Sequence, residues 1–157
     1  MKNRKNLTKG FTLIEMIVVI SLIGILMGVA FPQFTKFLAV GRDTKRISDV
    51  SRVVPGYLEL YFNQNGYYPT GGWNGLTEKL DGADVLGGKG LPKAVGGYDY
   101  FYCPGTNNFT YTLGVKLETK NKALEDSIND VTCPESSLTC CDITTCASND
   151  YIYCVQP

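Results

Sequence analysis

The stretch KGFTLIEMIVVISLIGILMGVAF, residues 9–31, decides the fold because it places one carboxylate at the entrance of a long apolar segment. Glu15 is the only charged residue between Phe11 and Phe34, and Ser21 is the only polar residue from Met16 to Pro32. A helix of about 20 apolar residues is long enough to cross a lipid bilayer. The sequence therefore predicts a transmembrane helix that begins near residue 12.

The charges on either side of this segment predict its direction in the membrane. Lys2, Arg4, Lys5 and Lys9 precede it, and Lys36 is the only basic residue that follows it closely. Cytoplasmic flanks carry the excess of Lys and Arg, so the N-terminus is expected inside and the rest of the chain outside. The remaining basic residues are scattered among acidic ones, which indicates no direct nucleic-acid site.

Helical periodicity continues beyond the apolar segment. Apolar side chains recur every three or four residues, which predicts one amphipathic face on a helix that runs on to Asn65-Gly66, about 50 residues in all. Glycines and prolines inside this helix are expected to bend or loosen it. The apolar face consists of Ile47, Val50, Val54, Leu58 and Tyr61, and the expected interruptions are Gly24, Gly28, Pro32, Gly41 and Pro55.

Residues 67–157 are predicted to form a globular head. A glycine-rich loop at 67–97, with a short helix at 76–80, leads into a sheet at 98–118 that is completed by a strand at 151–155. Alternation of apolar and polar residues over 109–118 predicts one buried face, packed on the amphipathic half of the helix. The predicted fold class is α+β, a long N-terminal helix packed on a small antiparallel sheet with a disulfide-rich C-terminal loop at 133–146.

Six cysteines indicate covalent cross-links in the exported head. Exported domains are oxidised, so disulfides are favoured over a zinc cluster, which remains the alternative; six cysteines allow 15 connectivities, and the sequence does not choose among them. There is no histidine and no glycine-rich phosphate loop, so the chain is not predicted to be an enzyme. The disulfide candidates are Cys103, Cys133, Cys140, Cys141, Cys146 and Cys154.

The stretch Lys9-Gly10-Phe11-Thr12-Leu13-Ile14-Glu15 resembles the prepilin processing site of the type IV pilin family, which includes the pseudopilins of type II secretion. The resemblance continues through the apolar helix to the segment DVSRVVPGYLELYFNQNGYYP, residues 49–69. It implies a structural subunit with four parts, at 1–10 (leader), 11–35 (apolar half of the helix), 36–66 (amphipathic half) and 67–157 (head).

The resemblance also implies a sequence of events and a set of partners. Prepilin peptidase would cut between Gly10 and Phe11, and the new Phe11 amine would be methylated. The subunit would wait in the cytoplasmic membrane, meet an inner-membrane assembly platform and join copies of itself in a cell-surface filament. No cofactor is implied, although Asp81, Asp84 and Asp99 lie where secretion pseudopilins hold calcium.

Glu15 is interpreted as the residue that sets the position of one subunit on the next. An unpaired carboxylate in a water-free filament core costs several kcal/mol or takes up a proton. The Phe11 ammonium is the only cationic group that the processed segment offers before Lys36. Pairing of Glu15 with the Phe11 amine of a neighbour would therefore fix the register, as a buried polar residue does in a coiled coil.

Three alternatives remain open at the level of sequence. The chain is either a pilus subunit or the major pseudopilin of a type II secretion system, and a third reading is a monomeric, membrane-anchored binding domain. An ordinary secretory signal with a cut near Gly28-Val29-Ala30 explains the apolar segment but not Glu15. The sequon Asn108-Phe109-Thr110 fits either hairpin chemistry or glycosylation.

Overall fold

The structure is a computed structural model that describes residues 10–129, 131, 133, 139–141 and 151–157. Two compact units divide the chain, one ending at Leu38 and the other beginning at Ala39. The leader, apart from Gly10, lies outside the described residues, as does most of the predicted loop at 133–146. The predicted division of the helix into two halves at residue 35 stays a prediction.

The long N-terminal helix is confirmed. Helix α1 spans Leu13–Ser48, a π-helical segment follows at Asp49–Val53, and α2 spans Val54–Asn65. Helix α1 continues through Gly24, Gly28, Pro32 and Gly41, so none of them ends it, and the expected bending at these residues stays a prediction. Glycine and proline lower helix stability without necessarily ending a helix, and at Pro32 the helix lacks the one hydrogen bond that a residue there would donate to the Gly28 carbonyl.

The change of helical pitch occurs immediately before Pro55. Proline has no amide hydrogen, so residue 55 cannot donate to the carbonyl of Ser51. The helix responds with a wider turn, in which the Val54 N–H donates to the Asp49 carbonyl five residues earlier. Pro55 therefore perturbs the helix as predicted, through one π-helical segment rather than through a break.

The end of α2 falls where the sequence predicts it. Gly66 adopts φ +77° and donates its N–H to the Phe62 carbonyl at 2.7 Å. This left-handed conformation favours glycine, which has no Cβ to clash with the backbone. The Asn65 side-chain amide also donates to the Tyr61 carbonyl at 3.0 Å, which satisfies another carbonyl of the last turn.

A third helix is longer than the short one expected at 76–80. Helix α3 spans Trp73–Gly82, and Leu76 and Leu80 are fully buried. Spaced four residues apart, these two leucines fix the face that the helix presents to the core. The glycines around them concealed the helix in the sequence, since Gly is a poor helix former.

The head contains a three-stranded antiparallel sheet in the order β1-β2-β3. The strands span Tyr100–Pro104, Tyr111–Leu117 and Tyr151–Val155, and a 3₁₀ segment at Lys122–Asp126 lies between the last two. Strand β3 matches its prediction, whereas the strands predicted to start at 98 and 109 each start two residues later. Tyr98 lies against the guanidinium of Arg46 instead, 4.6 Å from ring centre to Cζ, and Phe109 is exposed in the turn.

One face of the sheet packs on the helices, as predicted. Strand β2 contributes Tyr111, Leu113, Val115 and Leu117, each at most 3% exposed, to a cluster that includes Val50, Val54 and Leu58. Burial of each such side chain stabilises the fold by about 1.5–3 kcal/mol. Alternate residues of the same strand were expected to face water.

That expectation is wrong, because the other face of the sheet is covered too. Phe101 pairs directly with Gly114 across β1 and β2, and its ring occupies the space where a side chain at 114 would lie. A second cluster forms on this face from Phe101, Ile152 and the cysteines of the C-terminal region. The small residues of β2 therefore make room for a further layer of protein.

Disulfides hold that layer to the sheet. Cys103 of β1 is bonded to Cys133, and Cys154 of β3 is bonded to Cys140, with Cα–Cα distances of 5.8 and 5.7 Å. Cys141 is also disulfide-bonded, and Cys146 lies outside the described residues. A disulfide that closes a loop of this size stabilises a fold by roughly 3–4 kcal/mol in the chain-entropy view.

A buried ion-pair network joins the end of α1 to the end of β2. Asp43 and Arg46 are both 0% exposed and contact each other at 2.7 Å. Asp43 also accepts from the backbone N–H groups of Glu118 and Thr119, both at 2.9 Å, while Arg46 donates to Glu118 at 2.6 Å. Every described charge in this network therefore has a partner, which is the condition for burying it without a large penalty.

Glu118 also accepts hydrogen bonds from Arg42, and this contact has an electrostatic consequence. The hydrogen bonds from Arg42, more than those from Arg46, lower the pKa of the Glu118 carboxyl to about 2. Gly96, with φ +81°, lies beside the network, and a Cβ there would approach Arg46 Nη2 to 2.6 Å. The backbone at residue 96 thus has to be glycine for the network to close.

Candidate functional site

The candidate site comprises Gly10, Phe11, Thr12 and Glu15 at the start of α1. Gly10, Phe11 and Thr12 precede the helix, and Phe11 is 80% exposed. A Cβ added at Gly10 would meet no other atom within 4 Å. The peptide bond between Gly10 and Phe11 therefore lies in an accessible stretch outside regular structure.

Thr12 and Glu15 form a capping box, which the analysis of the sequence missed. Glu15 Oε2 accepts from the Thr12 N–H at 2.8 Å and from the Thr12 hydroxyl at 2.7 Å, while the Glu15 N–H donates to the same hydroxyl at 3.4 Å. Such a reciprocal pair satisfies N–H groups that the first helical turn leaves without partners. The signal was visible as Thr-x-x-Glu immediately before an apolar run.

The two carboxylate oxygens of Glu15 have different surroundings. Both hydrogen bonds from Thr12 end on Oε2, and Oε1 accepts none within the described part of the chain. The side chain lies at an open apolar depression of about 620 Å³, which is otherwise lined by Phe11, Ile14, Met16, Val18 and Val19. Glu15 thus caps its own helix with one oxygen and leaves the other available in apolar surroundings.

The helix beyond Glu15 is long and apolar enough to cross a membrane. This part, Leu13–Phe31, has 19 residues and a mean hydropathy of 2.6, and none of the span is buried. Exposure of so many Leu, Ile, Val and Phe side chains to water is energetically unfavourable. The segment therefore needs lipid or other protein around it.

The calcium candidates do not form an evident site. Among the described residues, no group of three or more His, Cys, Asp or Glu side chains is placed to hold a metal ion. Asp81 lies in α3, Asp84 adopts φ +55° in the turn that follows, and Asp99 precedes β1. The expectation of no cofactor stays untested, with calcium as its weaker alternative.

The start of α1 matches a family model. The family described as "Prokaryotic N-terminal methylation motif" matches residues 5–31, which include Gly10, Phe11 and Glu15. The match covers the N-terminal part of the chain, and the long helix on a small antiparallel sheet is consistent with the type IV pilin fold.

Several curated proteins are similar to part of the chain. A fimbrial protein of Pseudomonas aeruginosa is 46% identical over 43 residues, 27% of this chain and 28% of that protein. The type IV major fimbrial protein FimA of Dichelobacter nodosus is 39% identical over 49 residues, 31% of each chain. The fimbrial protein EcpC of Eikenella corrodens is 32% identical over 65 residues, 41% of this chain and 42% of that protein.

These similarities cover less than half of the chain. The chain spans less than a third of the length of the first relatives it matches. No solved structure matches the chain significantly. Members of the matched family are structural subunits rather than enzymes.

Proposed function

We propose that this chain is a structural subunit of a type IV pilus, assembled through its N-terminal helix. The observation that carries the proposal is the methylation motif, whose match at residues 5–31 includes the apolar segment Leu13–Phe31, none of which is buried. Similarity of part of the chain to proteins named as fimbrial supports it. Motility, adhesion, DNA uptake or secretion would then belong to the complete filament.

The exposed apolar helix supports self-association. Each Leu, Ile, Val or Phe side chain transferred from water into a packed interface contributes about 1.5–3 kcal/mol. Leu13–Phe31 consists mainly of such residues. Before assembly the cytoplasmic membrane covers these side chains, with the N-terminus inside, and in the filament the helices of neighbouring subunits replace the lipid.

Processing explains why the basic leader and the apolar helix can coexist in one chain. Prepilin peptidase cuts after Gly10 and the Phe11 amine is methylated, so that Lys2, Arg4, Lys5 and Lys9 are removed before the helix enters a filament. Accessibility of the Gly10-Phe11 bond supports this step. Methylation keeps the amine basic and therefore retains a positive charge.

The capping box refines the proposed role of Glu15. Cleavage leaves the Thr12 amide and hydroxyl unchanged, so Oε2 continues to cap the helix after processing. Oε1 is then free to accept from the Phe11 ammonium of a neighbouring subunit. Thr12 thereby orients the carboxylate, and the ion pair sets the register between subunits.

The mature N-terminus provides the direct test of processing. Mass spectrometry of the native protein should find methylated phenylalanine at position 11. An intact leader, or a chain that begins near Phe31, contradicts the proposal. The second of these outcomes would identify an ordinary secretory protein.

Three variants separate the roles of Glu15 in assembly. Glu15→Gln keeps a side-chain oxygen that can cap the helix but removes the charge, so filament number should fall at least tenfold by electron microscopy of sheared surface material. Glu15→Ala should be equally defective. Thr12→Val, which keeps the charge and loses the hydroxyl, is the matched control and should assemble far better than either. Normal filaments from Glu15→Gln would refute the ion pair.

A secretion pseudopilin is the second candidate, since the methylation motif is shared by both kinds of filament. A secretion pseudopilin differs from a pilus subunit in the apparatus that assembles it rather than in its N-terminal helix. Deletion of a type II secretion platform should abolish processing-dependent assembly if this candidate is correct, and should leave pili unaffected if it is not. A monomeric, anchored binding domain would show no polymer in either background.

A further inference from the structure

A groove beside Trp73 has the composition of a small-ligand site. It consists of two adjoining depressions, of about 280 and 510 Å³, that share Trp73, Asn74 and Tyr100. The larger of these lies within the range of small-ligand pockets, ~300–1,000 Å³. We call it the Trp73 groove, and its larger part is completed by Thr77, the loop at 89–94 and Asp99.

The floor of the Trp73 groove is aromatic and held in place. The rings of Trp73 and Tyr100 lie 5.1 Å apart, inclined at 49°. The Tyr100 hydroxyl donates to Asp49 at 2.6 Å, which fixes that ring from below. Trp73 itself is only half-buried and is the one tryptophan of the chain.

The rim of the Trp73 groove carries polar groups of both signs. Lys89 and Lys93 come from the glycine-rich loop, Asp99 precedes β1, and Asn74 lies in the first turn of α3. All four are exposed, and their side chains make no hydrogen bond or ion pair to any residue that the structure describes. Donors and acceptors are thus both available around the aromatic floor.

We propose that the Trp73 groove binds an uncharged saccharide. A sugar ring carries C–H groups on its faces, which pack on aromatic rings by dispersion and loss of water contact. Its hydroxyls can donate to Asp99 and accept from Asn74, Lys89 and Lys93 at the same time. A nucleotide also stacks on aromatic rings, and Lys89 and Lys93 would attract its phosphate while Asp99 would repel it, so the test includes a nucleotide as the competing ligand.

The site belongs to the folded head and does not depend on the proposed filament. The full-length subunit in detergent micelles is therefore the appropriate sample. Because Trp73 is the only tryptophan, its fluorescence reports on the groove without a label. The probes are four neutral disaccharides, lactose, maltose, cellobiose and N,N′-diacetylchitobiose, with adenosine monophosphate as the competing ligand.

At least one of the disaccharides should change Trp73 fluorescence saturably. The double variant Asn74→Ala/Asp99→Asn should weaken that response at least tenfold. The matched control, Asn63→Ala/Asp126→Asn, removes the same two groups at exposed positions outside the groove and should bind like the unmodified protein. Circular dichroism of both variants checks that the head stays folded.

Four outcomes would overturn the proposal. The first is no saturable response to any of the four sugars by folded, unmodified protein. The second is a response to adenosine monophosphate alone, which would assign the groove to a nucleotide. The third is that both double variants lose sugar affinity equally. The fourth is that Asn74→Ala/Asp99→Asn binds the sugar like the unmodified protein. Either result places the sugar outside the groove.

Discussion

Both halves of α1 depart from the usual pattern, in which apolar side chains are buried and charged side chains are exposed. From Leu13 to Phe31 the helix exposes almost only apolar side chains. From Asp43 onward the same helix buries charged ones, and Asp43 and Arg46 are completely inaccessible. Charged residues are almost never fully buried unless they are paired, and large apolar surfaces are rarely left exposed on a monomer.

The difference lies in where each half finds its partners. Asp43, Arg46 and Glu118 satisfy one another within a single chain, so the second half is complete in the isolated subunit. The side chains of the first half pack on no other part of the described chain, and Oε1 of its one carboxylate, Glu15, accepts no hydrogen bond there. The second half of the helix thus stabilises the fold of the subunit, whereas the first half leaves an apolar surface for contacts outside the subunit.

Replacing Arg46 should have the largest effect on the second half. Arg46→Met leaves the buried Asp43 carboxylate without its cation and Glu118 with Arg42 alone, which should lower the free energy of unfolding by about 3–5 kcal/mol. Chemical denaturation followed by circular dichroism measures the loss. Arg52→Met, the same change at an exposed arginine, is the control and should cost less than ~1 kcal/mol. Equal losses would show that the network does not hold this half in place.

Acid should weaken the same network by a smaller amount. Since Arg42 and Arg46 lower the pKa of Glu118 to about 2, its contribution is complete above the unfolded pKa of about 4.3 and is lost as the pH falls toward 2. We expect this contribution to be about 2–3 kcal/mol. Glu118→Gln should remove that part of the pH dependence of unfolding, whereas Glu125→Gln at an exposed site should retain it. An unchanged pH profile in Glu118→Gln would exclude the ion pairs as the cause.

Removing the cap should have the smallest effect, and only in the first half. Thr12→Val loses the hydroxyl that bonds Glu15, which costs about 1 kcal/mol at the helix terminus. Amide hydrogen exchange in micelles should accelerate about fivefold over residues 13–16. Ser21→Ala removes a hydroxyl that donates to the Val18 carbonyl within the same helix and should leave those amides unchanged. Equal exchange in the two variants would mean that the capping box does not hold the terminus.

The sequence predicted the features that depend on periodicity. Apolar spacing located the long helix, Asn65-Gly66 located its end, and alternation over residues 111–117 located the central strand. The candidate site was predicted from its motif, and one of its members, Thr12, was missed. The capping box corresponds to the spacing Thr12-x-x-Glu15 before an apolar run, a local pattern that the charge of Glu15 alone does not indicate.

The remaining features depend on contacts between distant parts of the chain. The sequence of strand β2 predicts one exposed face, because Thr112 is polar and Gly114 has no side chain. Only the structure brings Phe101 over Gly114 and the cysteines onto that face. The Trp73 groove likewise joins α3, the loop at 89–94 and the residue before β1, which no local pattern connects.

The two disulfides have a mechanical consequence. They attach β1 and β3, the opposite edges of the sheet, to the same short stretch of chain between Cys133 and Cys140. A continuous covalent path therefore crosses from one edge to the other without passing through β2. A force that separates an outer strand from β2 therefore acts on covalent bonds, which do not break under thermal fluctuation. The two outer strands stay connected even after the hydrogen bonds of the sheet have broken.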